Sequence, residues 1–340
     1  MNILKNYYCS NPFNYIEIHK TDLYTCCPSW LNTPICSIDK IEEFDNSDIL
    51  KKIQNSVLDG TYSYCNKEFC PYLSELIYNG IPRDIIKLKS IPINYNKRIS
   101  FCFDGSCNLA CPSCRKTLFF ESEESVVKID KIINDISKIF GKITTSLSIS
   151  GTCDPFVSKT FRNFLINFDK IKFPRLKSIY LQTNGLLLNE EMWNKISKVN
   201  NIITMAVSVD AATKETYSIV RGGNFNTLIE NLKFISTLKC KKTFSFVVQD
   251  TNYKEMESFF KLISNLNPVG SYNIYFSKIN NWGTYTDEEF RIKEIFKEYH
   301  PDFNLFLEEL SKITLKYNVV TNMNDIIEKY SLNNPQIRLI

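Results

Sequence analysis

Three cysteines, Cys107, Cys111 and Cys114, stand in one short segment, FDGSCNLACPSC, with three and then two residues between them. Thiolates are the usual ligands of iron–sulfur clusters, and three on one loop hold three irons of a four-iron four-sulfur cluster, leaving the fourth iron open to a non-protein ligand. An open iron is a place for catalysis. The same residues also allow a zinc knuckle completed by Cys102 or Cys153, although structural zinc usually draws on paired C-x2-4-C units and four closed ligands. Cys9, Cys26, Cys27, Cys36, Cys65 and Cys70 crowd the first quarter, and Cys240 completes a total of 12. The opening MNILKNYYCSNPFNY lacks the apolar core of a signal peptide, so a cytoplasmic location is expected, where disulfides are disfavoured and ligation is the better use for thiols. His19 and His300 are the only two histidines and lie far apart, which argues against a Ser-His-Asp triad, a Cys-His dyad or a multi-histidine metal site.

Composition excludes other classes. Lys+Arg number 41 against 37 Asp+Glu, a net charge of +4 over 340 residues with no basic run, so neither a nucleic-acid footprint nor a polybasic membrane patch is visible. No apolar stretch approaches the ~20 residues that span a bilayer. The length supports a sizeable core and two or three domains.

The elements that must position the triplet are legible. RISFCF (98–103) reads as a strand, with the cysteine loop directly after it. Beyond it, helix-periodic segments at 125–140, 159–168, 190–199, 227–238 and 253–266 alternate with strands at 146–150, 178–184, 203–210, 243–249 and 271–279. Strands alternating with helices predict an α/β fold with a parallel sheet, and six such units curl into a partial (β/α)6 barrel that carries its site at the C-terminal strand ends. The segments at those ends are the cysteine loop, GTCDPF (151–156), QTNG (182–185), SVDA (208–211) and YSIVRGG (217–223).

Cys107-x3-Cys111-x2-Cys114 after the first strand of a βα-repeat domain resembles the radical S-adenosylmethionine (SAM) superfamily. The resemblance implies further roles. Gly151-Thr152-Cys153-Asp154-Pro155 is similar to the family's Gly-Gly-Glu-Pro motif, which gives Asp154 the methionine ammonium of SAM. Thr183, Asn184 and Ser208 resemble the positions that bond the ribose hydroxyls, and Arg221 the arginine that pairs with the SAM carboxylate, as a guanidinium fork suits a carboxylate. The blander readings are a turn at Asn184-Gly185, a helix N-cap at Asp210 and a surface charge at Arg221. Two departures from the family pattern are Ser113, where an aromatic or aliphatic residue usually precedes the third cysteine, and Asp154 in place of glutamate. The implied chemistry is reductive cleavage of SAM at the cluster to methionine and a 5'-deoxyadenosyl radical, which abstracts hydrogen from a substrate C–H bond.

The first 85 residues add a second cysteine group, in which the hairpin EIHKTDLYT precedes Cys26-Cys27 and Cys65-x4-Cys70 follows some forty residues later. This arrangement resembles the SPASM or twitch auxiliary-cluster module, placed before the barrel rather than after it. The resemblance implies Cys9, Cys26, Cys65 and Cys70 as ligands of an auxiliary 4Fe-4S cluster, with Cys27 as substitute for Cys26 and Cys36 as a packing residue; zinc on the same thiols is the alternative. The expected organisation is a module at 1–85, a barrel at 95–282 and a helical extension at 283–340, with Thr286 capping its first helix. Expected partners are a peptide, protein or sugar-like small-molecule substrate and an electron donor such as flavodoxin or ferredoxin, with no nucleic acid and no membrane. The alternative from another class is a non-catalytic iron–sulfur or zinc protein that senses SAM or redox state.

Overall fold

The computed structural model of the chain describes residues 2–90 and 96–333, which fall into two compact units. The expected barrel start at 95 and the end of the tail from 334 lie outside the described residues. The first unit gathers the described residues up to Gly105 with Glu121–Cys153 and Asn167–Tyr180; the second gathers Ser106–Phe120, Asp154–Ile166 and the described residues from Leu181 onward.

Seven strands build the sheets of the first unit: β1 (Tyr7–Cys9), β2 (Tyr15–His19), β3 (Asp22–Tyr24), β4 (Cys36–Ser37), β5 (Ile86–Leu88), β6 (Lys97–Cys102) and β7 (Thr144–Ile149). β7, β6 and β2 lie side by side in parallel, β3 and β4 extend the β2 edge antiparallel, and β1 pairs with β5 apart from them. The two-residue period of a strand divides the parallel part into an apolar and a polar face. Ile16, Ile99 and Leu147 form one rung and Ile18, Phe101 and Ile149 the next, all wholly or almost wholly buried. The other face carries the rungs Tyr15–Arg98–Ser146 and Glu17–Ser100–Ser148. The helix Glu123–Ile139 that precedes β7 starts where Ser122 accepts a hydrogen bond from the Ser125 N–H, and Glu123 and Glu124 in its first turn suit the positive end of the helix dipole. It buries Ile129, Ile133 and Ile136, one stripe at helical spacing.

β8 (Ser178–Thr183) runs from residues of the first unit into those of the second. In the second unit β9 (Ile203–Ser208), β10 (Lys241–Val248), β11 (Tyr272–Lys278) and β12 (Val320–Thr321) pair in parallel in that order. Phe246 of β10, Phe276 of β11 and Phe259 of the helix Met256–Asn265 meet with ring centroids 5.0 to 5.9 Å apart, which locks helix to sheet. Thr286 and Glu289 cap the helix Asp287–Lys293 reciprocally.

The six strands expected from the pattern are β6 to β11, with helices between them, an α/β chain of βα repeats with parallel strands. Three features go beyond the sequence pattern. The N-terminal hairpin is not separate from the repeat, because β2 pairs in parallel with β6, and the two compact units therefore divide the chain differently from the three expected segments. YSIVRGG is largely helical, as the end of the helix Lys214–Val220. The helix expected over 190–199 stops at Lys195, where Ile196 leaves helical geometry and both Ile196 and Val199 turn into the core.

Gly141 occupies the turn that feeds β7, and a Cβ there would lie 2.3 Å from the backbone oxygen of Lys172. Gly141→Ala is expected to cost about 1–3 kcal/mol, because the clash is with backbone rather than a movable side chain. Urea unfolding reads this as a lowered midpoint, and an unchanged midpoint would contradict it.

Candidate functional site

The cysteine loop follows β6. The Cys107 N–H donates to the Phe119 carbonyl at 2.9 Å, and the N–H groups of Cys114 and Arg115 both donate to the Cys111 carbonyl, at 2.8 and 3.0 Å, so the loop closes into a tight turn around the three thiols. Buried Leu109 anchors it between them. All three thiols are free; Cys107 is half-buried, Cys111 buried and Cys114 exposed. Burial pushes the Cys107 and Cys111 thiols up from their usual range, while the nearby Arg221 charge draws both back towards the thiolate.

Asp154 sits in the loop after β7, and its N–H donates to the Ser106 carbonyl at 3.0 Å, tying it to the base of the cysteine loop. Its carboxylate is 2% exposed as a residue and accepts three hydrogen bonds: from the Phe156 N–H at 3.0 Å on Oδ1, and from Thr183 Oγ1 and the Asn184 N–H, each at 2.8 Å, on Oδ2. Burial raises its pKa, and those donors work against the rise. The chain itself thereby occupies most of the carboxylate's lone-pair positions. Asn184, fixed in this way, sends its side-chain amide to Asn108 Oδ1 at 2.7 Å and to Cys107 Sγ at 3.8 Å. Asp154, Asn184 and Cys107 thus form one connected line. Thr183 is spent on Asp154 and on the Gly185 N–H, and Gly185 has the positive φ of +79° that turns the chain away from β8.

Asp210, just past β9, adopts φ +63°, uncommon for a residue with a side chain. The conformation is held from three sides: Oδ1 accepts from the Val247 N–H at 2.7 Å, Oδ2 from Arg221 Nη1 at 3.0 Å, and its carbonyl from Asn252 Nδ2 at 2.9 Å. Thr213, not Asp210, caps the helix Lys214–Val220, with its side chain accepting from the Thr216 N–H. Arg221 is no surface charge: it closes that helix and pairs with Asp210 in a largely buried ion pair. Burial opposes the Arg221 charge, but Cys111 and Asp210 outweigh it and its pKa rises. Its Nε and the Tyr217 hydroxyl are both buried without a hydrogen-bond partner. Buried donors without acceptors are uncommon and mark a place for an absent acceptor. Ser208 ends β9 with its hydroxyl 3.5 Å from that of Ser245.

In the first unit, Cys9, Cys26, Cys65 and Cys70 line one cavity with Asn11, Trp30, Leu31 and Tyr72. Burial pushes Cys9 and Cys65 up to about 12 and raises Cys26 and Cys70 as well, while the charges of Arg98, Lys67 and Arg83 work against the rise at Cys9, Cys65 and Cys70. Asn11 Nδ2 donates to Cys26 Sγ at 3.6 Å. Cys27 and Cys36 lie outside the cavity lining, and Cys36 belongs to β4. Cys102 donates to the Ser150 carbonyl at 3.2 Å. Trp282 is 66% exposed. Among the described residues no three His, Cys, Asp or Glu side chains converge on a single ion, so the thiols are gathered by loop and cavity rather than clenched around one centre.

The site includes residues that sequence reasoning passes over. Asn108 carried a signal, as a polar residue directly after the first cysteine of the triplet. Tyr217 and the pairing role of Asp210 carried none, because each depends on which loop the third dimension brings near.

Residues 103–263 match the Radical SAM superfamily. A cysteine-type anaerobic sulfatase-maturating enzyme of Clostridium novyi is 25% identical over 46% of this chain and 45% of that protein, and a probable GTP 3',8-cyclase of Methanococcus aeolicus is 23% identical over 64% and 67%. The chain thus spans less than half the length of the first relative. The solved structure of Streptococcus suis SuiB bound to S-adenosylmethionine is 15% identical, covering 84% of this chain and 59% of that one, with a TM-score of 0.44.

Asp210→Asn keeps a residue that tolerates positive φ and removes only the charge facing Arg221. It is expected to cost about 3–5 kcal/mol, the usual penalty for orphaning one partner of a buried pair. A loss below about 1 kcal/mol in urea unfolding would show that the pair is not buried in solution.

Proposed function

Because residues 103–263 form a domain of the radical SAM superfamily, we propose that the chain is an enzyme that cleaves SAM reductively and abstracts hydrogen from a substrate C–H bond. The observation that carries this reading is the pair of orphaned buried donors, Arg221 Nε and the Tyr217 hydroxyl, in the same unit as a loop of three free thiols. A purely structural cluster needs neither donor.

Cys107, Cys111 and Cys114 would hold a 4Fe-4S cluster. Bound there, the cluster supplies the electron that splits SAM into methionine and a 5'-deoxyadenosyl radical. The donor set fits: three thiolates and no fourth from the loop leave one iron for SAM. Arg221, held by Asp210, offers Nε to the SAM carboxylate, and Tyr217 offers its hydroxyl beside it. Asp154 takes part in receiving the ammonium and at the same time fixes the Thr183-Asn184 strand end. Ser208 and Asn184 face the ribose side as polar groups. The chain's own contribution is position and the exclusion of water.

Cys9, Cys26, Cys65 and Cys70 would hold an auxiliary 4Fe-4S cluster, which would supply an electron acceptor near the substrate, with a flavodoxin- or ferredoxin-like carrier serving the protein. A substrate of peptide or protein nature is favoured over a sugar-like one, since the relative named a sulfatase-maturating enzyme acts on a protein.

Anaerobic reconstitution with iron and sulfide, followed by SAM and dithionite, tests the reading. The wild type is expected to carry about eight irons per chain and to form 5'-deoxyadenosine, and the Cys107/Cys111/Cys114→Ala triple variant to carry about four and form none. About four irons in the wild type would remove the auxiliary cluster. Absence of deoxyadenosine from both proteins would favour a non-catalytic sensor.

A further inference from the structure

The parallel rung Tyr15–Arg98–Ser146 leads to a second cavity of the first unit. It measures about 560 Å³ and is lined by Ser10, Asn14, Tyr72, Arg83, Asp84, Ile85, Lys87 and Arg98. Three of its side chains are cationic. Arg83 is already matched by Glu75, and Asp84 offsets one further charge, which leaves Arg98 as the deciding group. Arg98 is half-buried, yet no carboxylate pairs with it among the described residues. Its Nη2 donates to two neutral amide oxygens, Asn11 Oδ1 at 2.8 Å and Asn14 Oδ1 at 3.2 Å, and its guanidinium lies 5.3 Å from the Tyr15 ring centroid. Two amides and a ring fix the plane of the fork while its Nε–H and Nη1 donors have no protein partner among the described residues. A positioned guanidinium with free edge donors in a ligand-sized cavity suits a planar, bidentate anion.

We infer that this cavity is a binding pocket for a carboxylate, with Arg98 as the fork that receives it and Lys87 as a second charge at the wall. Ser10, Asn14 and Tyr72 supply neutral polar groups for the atoms next to that carboxylate. Tyr72 also lines the cavity of Cys9, Cys26, Cys65 and Cys70 and packs edge-on against Trp30 at 5.8 Å, so a ligand held on Arg98 lies one aromatic ring away from the four thiols. The carboxylate belongs to a peptide end or acidic side chain, or to a free small acid. Its placement beside an auxiliary cluster rests on the functional reading above, whereas its binding to Arg98 does not.

The test is calorimetric titration of the anaerobically reconstituted full chain with N-acetylglycine, N-acetylglycinamide and inorganic phosphate. N-acetylglycine is expected to bind saturably and at least tenfold more tightly than the amide or phosphate. Arg98→Gln should weaken it at least tenfold, and Arg98→Lys several-fold, since an ammonium keeps the charge but not the fork. Lys87→Gln, which leaves the Asn11, Asn14 and Tyr15 contacts untouched, should weaken it two- to fivefold, so the inference stays testable if Arg98 variants do not fold. A short peptide with a free C-terminus binding more tightly than acetate assigns the carboxylate to a chain end; equal binding assigns it to a small acid. Equal affinity for the amide, preference for phosphate, or indifference to both Arg98→Gln and Lys87→Gln overturns the inference. Iron content measured on the same samples separates the two readings: a wild type with about four irons that still binds N-acetylglycine loses the auxiliary cluster and keeps the pocket.

Discussion

Two buried carboxylates, Asp154 and Asp210, hold the strand ends of the second unit in place. Loops packed at the end of a sheet carry backbone N–H groups that water cannot reach, and each must find an acceptor. Asp154 satisfies Phe156 and Asn184, and Asp210 satisfies Val247. Each carboxylate thereby joins segments far apart in sequence. Among the buried polar atoms of this unit that have no partner, the Arg221 Nε and the Tyr217 hydroxyl belong to one helix and its end, a local deficit there. Rigid surroundings keep such a deficit from being relieved by rearrangement, and a ligand can relieve it instead.

Charge is distributed with the same economy. Arg221 reduces the cost of ionising Cys107 and Cys111 while itself being held by Asp210. The N-terminal cavity has no cation among its lining residues; burial raises its thiols, and the Arg98 charge works against the rise at Cys9. Each group of thiols thus has a guanidinium within electrostatic reach, Arg221 for Cys107 and Cys111 and Arg98 for Cys9.

Much of this was legible in the sequence. The strand pattern named β6 to β11 because alternating apolar residues write their own period, and the cysteine triplet declared its chemistry by spacing. Cys9, Cys26, Cys65 and Cys70 could be grouped by residue type, and the fold brings those four to one cavity while leaving Cys27 and Cys36 outside its lining. The parallel pairing of β2 with β6 was not legible, since YIEIH reads equally well as an arm of an isolated hairpin. Nor was the pairing of Arg221 with Asp210: eleven positions of chain separate them, and the seven-residue helix between them, expected from its cap, does not by itself show that its far end folds back on Asp210. Single-residue chemistry is written locally, but partnership between loops is decided by how the strands align.

The pairing of β2 with β6 also sets an order of events as the chain is made. Tyr15 lies opposite Arg98, about eighty positions later, and Cys9, Cys26, Cys65 and Cys70 are all synthesised before that partner strand exists. At about 5–20 residues per second this is an interval of roughly 4–16 s. During it the hairpin has an unpaired edge. Closing so long a loop is entropically costly and slow compared with forming the hairpin itself. The residues that line the four-thiol cavity, from Cys9 to Leu73, all precede β6, so that cavity closes from residues already made while the hairpin edge still waits for its partner strand.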